Sequence, residues 1–583
     1  MLDKQAIQEQ PGINLDDRLR SVPGFSLFRR SSSLVANPTT QGISLRGLGS
    51  SGASRTLVLW DAVPLNDPFG GWVYWTRVDP QELDRVELLR GSSTSVFGDR
   101  AMSGAIALFS RPAEQNRLTL GYEGGNLNSN VMSAGYSTLW RQFAATFSGR
   151  AFTTDGYYIV PARIRGSVDR PANVQFVTGN IKLDWLGTLD RLSVKLDILA
   201  EGRENGTMLT ENSTGLGNLS ASYAHEFHRD TVSVVGFHTR EQYHSTFSSV
   251  TNNRNTERIT YYQTVPSTAE GAAGLWRHAG SGWNLVAGAD AQNVEGTSTD
   301  VLVPAGLRVG GGSQLQHGIF AQSDFNVGPV KLFAGARHQF TGQDTTFFSP
   351  SGGFSVGNGT WRGRGSVYRA FRAPTLNELY REFRVGNSTT LANPHLNNEK
   401  VFGAEAGIDM VGERTRASLT LYRHDLTDVI TNVTLSSTPA LITRQRQNAA
   451  AALARGIEFN VRRDIGPLQA EAGYLFSDSR FATGFRIPQV PKHQGTAQLT
   501  YLRKGTLVSA GLRAFGMQFE DDVNQFRLGG YPTVQFSVRQ QLKGALSASL
   551  NFENLLDREY QVGFSPTPLI GAPRLWRAGL RWH

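Results

Sequence analysis

From residue 114 to the end of the chain, segments of about ten residues alternate apolar with polar and then break at a turn. In "LSVKLDIL" the apolar positions are Leu192, Val194, Leu196 and Ile198, with Ser193, Lys195 and Asp197 between them. "VKLFAGARHQF" repeats the pattern from Val330 to Phe340, and "GALSASLNF" carries it on Leu546, Ala548, Leu550 and Phe552. Successive side chains of a strand point to opposite faces, so this period of two describes a wall with one apolar and one polar face. Lipid on one side and water or polar filling on the other is the setting that needs such a wall. About 22 such segments fit into the stretch, and bacterial barrels close with an even number of strands. A crossing strand takes roughly 9–11 residues. The rest leaves room for short turns on one side and longer loops on the other, and turn signals punctuate the pattern at Asp155-Gly156, Asn205-Gly206 and Gly357-Asn358-Gly359.

Composition narrows the field. No run of 18 apolar residues is present, which excludes an ordinary transmembrane helix. Alternating strands also build sandwiches and propellers, but no 40–50-residue repeat marks blades. Alanine and glycine occupy many positions where sandwich cores would need bulk. The chain has no cysteine, so disulfides, thiolate metal sites and cysteine nucleophiles are absent together. The net charge is +9, and only eight of the 58 basic residues are lysine. The arginines are scattered rather than massed in a stripe, and no nucleic-acid module is recognisable. Eleven histidines form no H-E-x-x-H, and the carboxylates pair into no acid–base couple. No catalytic site, metal site or cofactor is expected.

Residues 1–113 have a different texture, that of a small mixed domain. "NLDDRLR" reads as a short helix broken at Pro23-Gly24, with strands around Ile43–Leu45, Thr56–Trp60, Arg85–Leu89 and Ala105–Phe109. Within it, Gly47-Leu48-Gly49-Ser50-Ser51-Gly52 spells G-x-G-x-x-G after a strand. A dinucleotide site would need a helix to follow. Here "TLVLW" follows, so the glycines belong to a loop between strands. A lumen walled by 22 strands is wide enough to need a plug, and residues 1–113 are the candidate, with the barrel spanning 114–583.

"SVPGF", "ISLRGLG", "RTLVLWDAVPLND" and "LDRVELLRGSSTSVFGDRAMSGAIAL", followed by "FRAPTLNELY", "NPHLNNEK", "ARGIEFNV" and "NFENLLDREY", resemble the TonB-dependent outer-membrane receptors in order and spacing over nearly the whole chain. Departures are Ala62 in place of a glycine, "IALFS" at the plug's end, and the terminal Trp582-His583. The resemblance implies a membrane all-β fold. It would be a 22-stranded antiparallel outer-membrane β-barrel with an N-terminal mixed α+β plug domain inside the lumen. It implies active import of a ferric siderophore, with a cobalamin-like substrate as the alternative. The partners would be a TonB-type inner-membrane energy-coupling protein, outer-membrane lipid and lipopolysaccharide. A passive porin and a surface receptor without transport are the readings from other classes.

Residue roles follow from the same resemblance. "DPFGGWVYWTR" would face an external vestibule with Phe69, Trp72, Tyr74 and Trp75, beside Arg29, Arg30 and Arg55 for an anionic complex. The alternative is that some of these rings pack the plug against the wall. Arg46 and Arg90 of the two "RG" motifs would meet Glu399 and Glu458 of the barrel and lock the plug. The start, "MLDKQAIQEQPGINLDDRLRSVPG", shows no signal peptide. The expectation is that a longer native version carries the coupling segment upstream, with direct coupling through Leu2–Ile7 as the rival.

Overall fold

The computed structural model describes the chain except Met1, Ser50, Ser51, Asp344, Gly386, Asn387, Pro439, Ala440, Ala449, Ala450, Ser565 and Pro566, and the side chains of Asn358 and Val385. Twenty-two antiparallel strands close a barrel, from Arg117–Gly125 to Leu575–Trp582. The first and last strands seal it in register, with Leu120 opposite Trp582 and Gly125 opposite Arg577. The short strand Asp169–Ala172 adds a further pairing at the rim, against Asp190–Thr207. Among the described residues no helix is long and apolar enough to cross a membrane; this chain crosses with strands.

The alternation read from the sequence orients the wall. Leu192, Val194, Leu196 and Ile198 are 38–50% exposed, whereas Lys195 and Asp197 between them are 3–5% exposed. This inverts the rule for water-soluble proteins, because the solvent outside the wall is hydrocarbon and the polar groups face the filled lumen. Trp140, Phe143, Trp276, Trp283, Trp361 and Trp582 stand exposed beside the tight turns, as an interfacial aromatic girdle does. Those turns lie at one end, such as Arg141–Gln142 between paired strands. The opposite end carries long connections, among them 373–398 and 428–451. Short turns face the periplasm and long loops the exterior in such barrels.

The last plug strand ends at Ser110 and the first barrel strand begins at Arg117. The plug sheet runs Leu2–Asp3, Leu83–Arg90, Gly104–Ser110, Thr56–Trp60, Val63–Pro64, with Thr56–Trp60 parallel to Gly104–Ser110. The helix Leu15–Leu19 has Asp16 and Asp17 in its first turn, where the helix dipole favours them, and the chain turns away at Pro23 and Gly24. Leu15, Leu19, Val58, Ile106 and an edge-on Phe25–Trp75 pair, 6.0 Å between centroids, build its core.

The glycine motif has a steric reason. Gly47, Gly49 and Gly52 all have positive φ. A Cβ on Gly47 would collide with Ser477 of the barrel wall. The backbone therefore comes closer to the wall than any larger residue permits. Ser50 and Ser51, the motif's fourth and fifth residues, lie outside the described residues.

Candidate functional site

Above the plug, on the long-loop side, a cavity of about 650 Å3 opens outward. Its floor is the plug segment 28–40, and its walls are barrel loops. One wall is a four-stranded sheet that the period-two reading did not anticipate: Phe383–Val385, Ser388–Leu391, Ile442–Asn448 and Ile430–Ser437. Two separate loops supply these strands, and they join in parallel with Thr390 opposite Arg444. Alternation along Ile442–Asn448 puts Ile442, Arg444 and Arg446 on one buried face, and both arginines line the cavity.

Three cavity arginines pair with no carboxylate among the described residues. Arg446 donates to the carbonyls of Asn377 (2.6 Å) and Arg381 (2.7 Å) and lies over the Phe383 ring. Arg381 donates to the Gln263 side chain at 2.8 Å and flanks the same ring. The Arg444 Nε is buried with no partner. The acids that also line the cavity are already engaged. Asp521 accepts from the backbone of Gln525 and Phe526, Asp522 from Thr434, and Glu520 from Phe564. With Arg55 and Arg254 set aside because Glu399 and Asp169 pair them, five lining arginines (Arg29, Arg381, Arg384, Arg444, Arg446) face three lining acids (Glu520, Asp521, Asp522), and the resulting excess of positive charge suits a carboxylate, phenolate or phosphate.

Of the residues expected to face substrate, Arg29 does line the cavity, 3.6 Å from Glu520. Arg30 instead turns away and donates to the carbonyls of Gly529 and Gly516, both at 2.8 Å, tying the plug to a barrel loop. Arg55 reaches the cavity's edge, but its guanidinium is taken by Glu399, by Leu48 O and by Ile430 O. The four aromatic residues correct the expectation most. Phe69, Trp72, Tyr74 and Trp75 are only 1–3% exposed, and none lines the vestibule. Asn66 stitches their loop back on itself, accepting from Val58 N and donating to Thr56 O and Gly71 O. Phe69, Trp72 and Tyr74 join a cluster with wall residues such as Leu216 and Val294, while Trp75 belongs to the plug core. The Tyr74 hydroxyl donates to Glu241 of the wall at 2.6 Å. Bulky rings end up where most apolar area is covered, which is the plug–wall interface rather than the wet cavity.

The charged plug–wall contacts also differ in detail from expectation. Arg46 meets Glu458 at 2.9 Å and also Glu405 at 2.6 Å, and Arg90 contacts Glu458. Glu399 does not meet either "RG" arginine. It is bound by Arg55 of the plug and by Arg372. Arg372 also grips Glu378 at 2.8 Å, and Glu378 closes a capping box with Thr375 on the helix Leu376–Tyr380. The segment "FRAPTLNELY" thus connects the plug, through Arg55 and Glu399, to the vestibule wall at Arg381. Glu405 was missed, although parity could have found it: it lies six residues after Glu399 on the strand Glu399–Val411, hence on the same face. Among the described residues no group of three His, Cys, Asp or Glu is placed to hold a metal ion.

Comparison with known proteins agrees with this geometry. Residues 198–555 match the family described as TonB dependent receptor-like, beta-barrel, and residues 1–105 match the TonB-dependent Receptor Plug Domain. The chain is 22% identical to the Vitamin B12 transporter BtuB of Vibrio vulnificus, covering 97% of this chain and 89% of that protein. It is also 22% identical to the Iron-regulated outer membrane virulence protein of Vibrio cholerae, covering 96% and 88%. The fold matches the siderophore receptor PirA from Acinetobacter baumannii with a TM-score of 0.80 at 16% identity, covering 100% and 97%. It matches the Copper transporter OprC equally well, with a TM-score of 0.80 at 14% identity, covering 98% and 95%. A plug sealed inside a 22-stranded wall below an open vestibule, with both domains matched in order, makes this chain a member of the TonB-dependent outer-membrane receptor family.

Proposed function

We propose that this receptor imports an anionic nutrient complex, a ferric siderophore first and a cobalamin-type molecule second, using work supplied by a TonB-type inner-membrane protein. The observation that carries the reading is the set of cavity arginines, Arg381, Arg444 and Arg446, that form no ion pair with a carboxylate among the described residues and leave the lining richer in arginine than in acid. A cavity of about 650 Å3 lies in the range of small-molecule sites. Fixed guanidiniums in a partly desolvated cleft attract an anion and hold it without reorganisation. The closed plug disfavours a passive pore, since diffusion needs no stopper of this size. The cobalamin alternative rests on the Vibrio vulnificus relative, and a neutral corrinoid would gain less from those charges.

The test is binding and energised uptake of ferric tris-catecholate, ferric hydroxycarboxylate, ferric hydroxamate and cyanocobalamin. Arg444→Gln should weaken binding of an anionic ferric complex at least tenfold, and added salt should weaken it in the parent protein. Equal affinity of the parent for neutral and anionic complexes, unchanged in Arg444→Gln, would remove the reading.

A further inference from the structure

The plug is held in two different ways on different arcs of the barrel. On one arc the wall strands Glu399–Val411 and Ala452–Ile465 meet it with carboxylate–guanidinium pairs through Glu399, Glu405 and Glu458, and on a second the strand Asp190–Thr207 pairs Lys195 with Asp61 and Asp197 with Arg77. Between these two charged arcs of the ring, the strands Thr506–Phe515, Tyr531–Gln541, Leu575–Trp582 and Phe143–Thr153 present arginines instead. There Arg150 donates to the carbonyls of Ile13, Thr76 and Val78, Arg577 to that of Pro11, and Arg539 to the Gln8 side chain. Every plug acceptor in those contacts is neutral. Arg577 keeps its charge partner, Glu553, within the wall itself.

Two further features set this side apart. Voids of about 30 and 10 Å3 lie between plug and wall, both touching Ile13, and the larger is walled by Arg18, Arg150, Arg539, Arg577 and Arg581 as well as Asp79 and Glu123. The larger has room for water. Higher up, Arg513 is 7% exposed, and both its Nε and its Nη2 have no hydrogen-bond partner. Its electrostatic neighbours are Glu553 of the wall and Asp17 of the plug.

We propose that this arginine seam, between plug residues 8–35 and the wall bearing Arg150, Arg513, Arg539 and Arg577, is the passage that opens, and that its arginines hand the anion from vestibule to periplasm. The inference rests on the import reading above. When the plug backbone withdraws, a guanidinium bonded to a carbonyl loses a neutral acceptor that water or a passing anion replaces. Withdrawal from either charged arc would instead separate opposite charges inside the lumen, which is the costlier break. The seam therefore yields first, and it yields with its positive groups left on the wall facing the opening.

The chain has no cysteine, so single thiols report directly. In cells with an intact energy-coupling system and a transported ferric complex, Ile13→Cys should react at least tenfold faster with an anionic than with a cationic methanethiosulfonate. An uncoupler should abolish that reaction, and Ser477→Cys, buried beside Gly47 next to the charged contacts of Glu458, should stay protected. Arg513→Gln should leave the Kd of the ferric complex unchanged and lower its uptake rate at least fivefold, with Arg513→Lys restoring most of it. Reaction at Ser477→Cys as fast as at Ile13→Cys, loss of the anionic preference, or full uptake by Arg513→Gln would each overturn the seam. So would normal uptake with neither thiol labelled. Failure of the parent protein to bind or accumulate any ferric complex would overturn the import reading instead.

Discussion

Glu458→Ala isolates the plug's charged anchor. Glu458 serves two plug arginines at once, Arg46 at 2.9 Å and Arg90. Its side chain is 2% exposed, so truncation leaves positive groups inside the lumen without their counter-charge. Arg46 keeps Glu405 at 2.6 Å, whereas the Arg90 guanidinium has no second carboxylate partner among the described residues. Breaking a buried pair from one side costs about 3–5 kcal/mol. At 1.4 kcal/mol per decade that raises the plug-displaced population by about two to three and a half orders of magnitude. The assay is single-channel conductance in planar bilayers, together with entry of a large antibiotic into cells. Bursts of open-pore current and antibiotic sensitivity are expected from a barrel that still resists heat and detergent. Removing the stranded charge as well, in Glu458→Ala/Arg90→Ala, should recover part of the loss. Background conductance in Glu458→Ala, with no change in plug proteolysis, would show that these pairs do not hold the plug.

Three other expectations follow from particular contacts. Trp72→Ala should destabilise the plug by about 3–5 kcal/mol through the lost packing against the wall, read as faster plug proteolysis. If it changed only ligand affinity, the burial argument would be wrong. Asp17→Asn should stabilise the plug at pH 7.5 and lose that advantage towards pH 4, as measured by melting temperature. Burial first, and then the neighbouring Asp16, push the Asp17 carboxyl up to about 6 against the opposing pull of Arg20 and Arg513. The folded state thus binds the extra proton between about pH 4 and 6, and stability falls as pH rises through that window. Leu196→Arg, on the outer face, should impair membrane assembly by about 2–4 kcal/mol if it sits near the bilayer midplane, seen as reduced folded yield in lipid vesicles.

Much of this protein can be read from parity. The alternation through Leu192–Ile198 announced which residues face lipid, and Lys195 and Asp197 turned inward accordingly, because a pleated strand leaves its side chains only two directions. The texture also changes, for the same local reason, between the last plug strand, which ends at Ser110, and the first wall strand, which begins at Arg117. Parity along Glu399–Val411 also held the information that Glu399 and Glu405 share a face, but not which plug arginine each would meet. That choice depends on how the plug is rotated inside the barrel, and it sent Arg55 to Glu399 and Arg46 to Glu405 and Glu458. The aromatic loop 69–75 shows the same limit. Its composition suits a binding surface or a packing surface equally, and only the fold decided, by setting Phe69, Trp72 and Tyr74 against the wall and Trp75 in the plug core. The vestibule arginines were the least legible. Arg381, Arg444 and Arg446 come from two long loops whose parallel strand pairing is a contact between residues about fifty positions apart. Local patterning sets a strand's faces, but which distant charges converge is decided by the closure of the barrel and the packing of its loops.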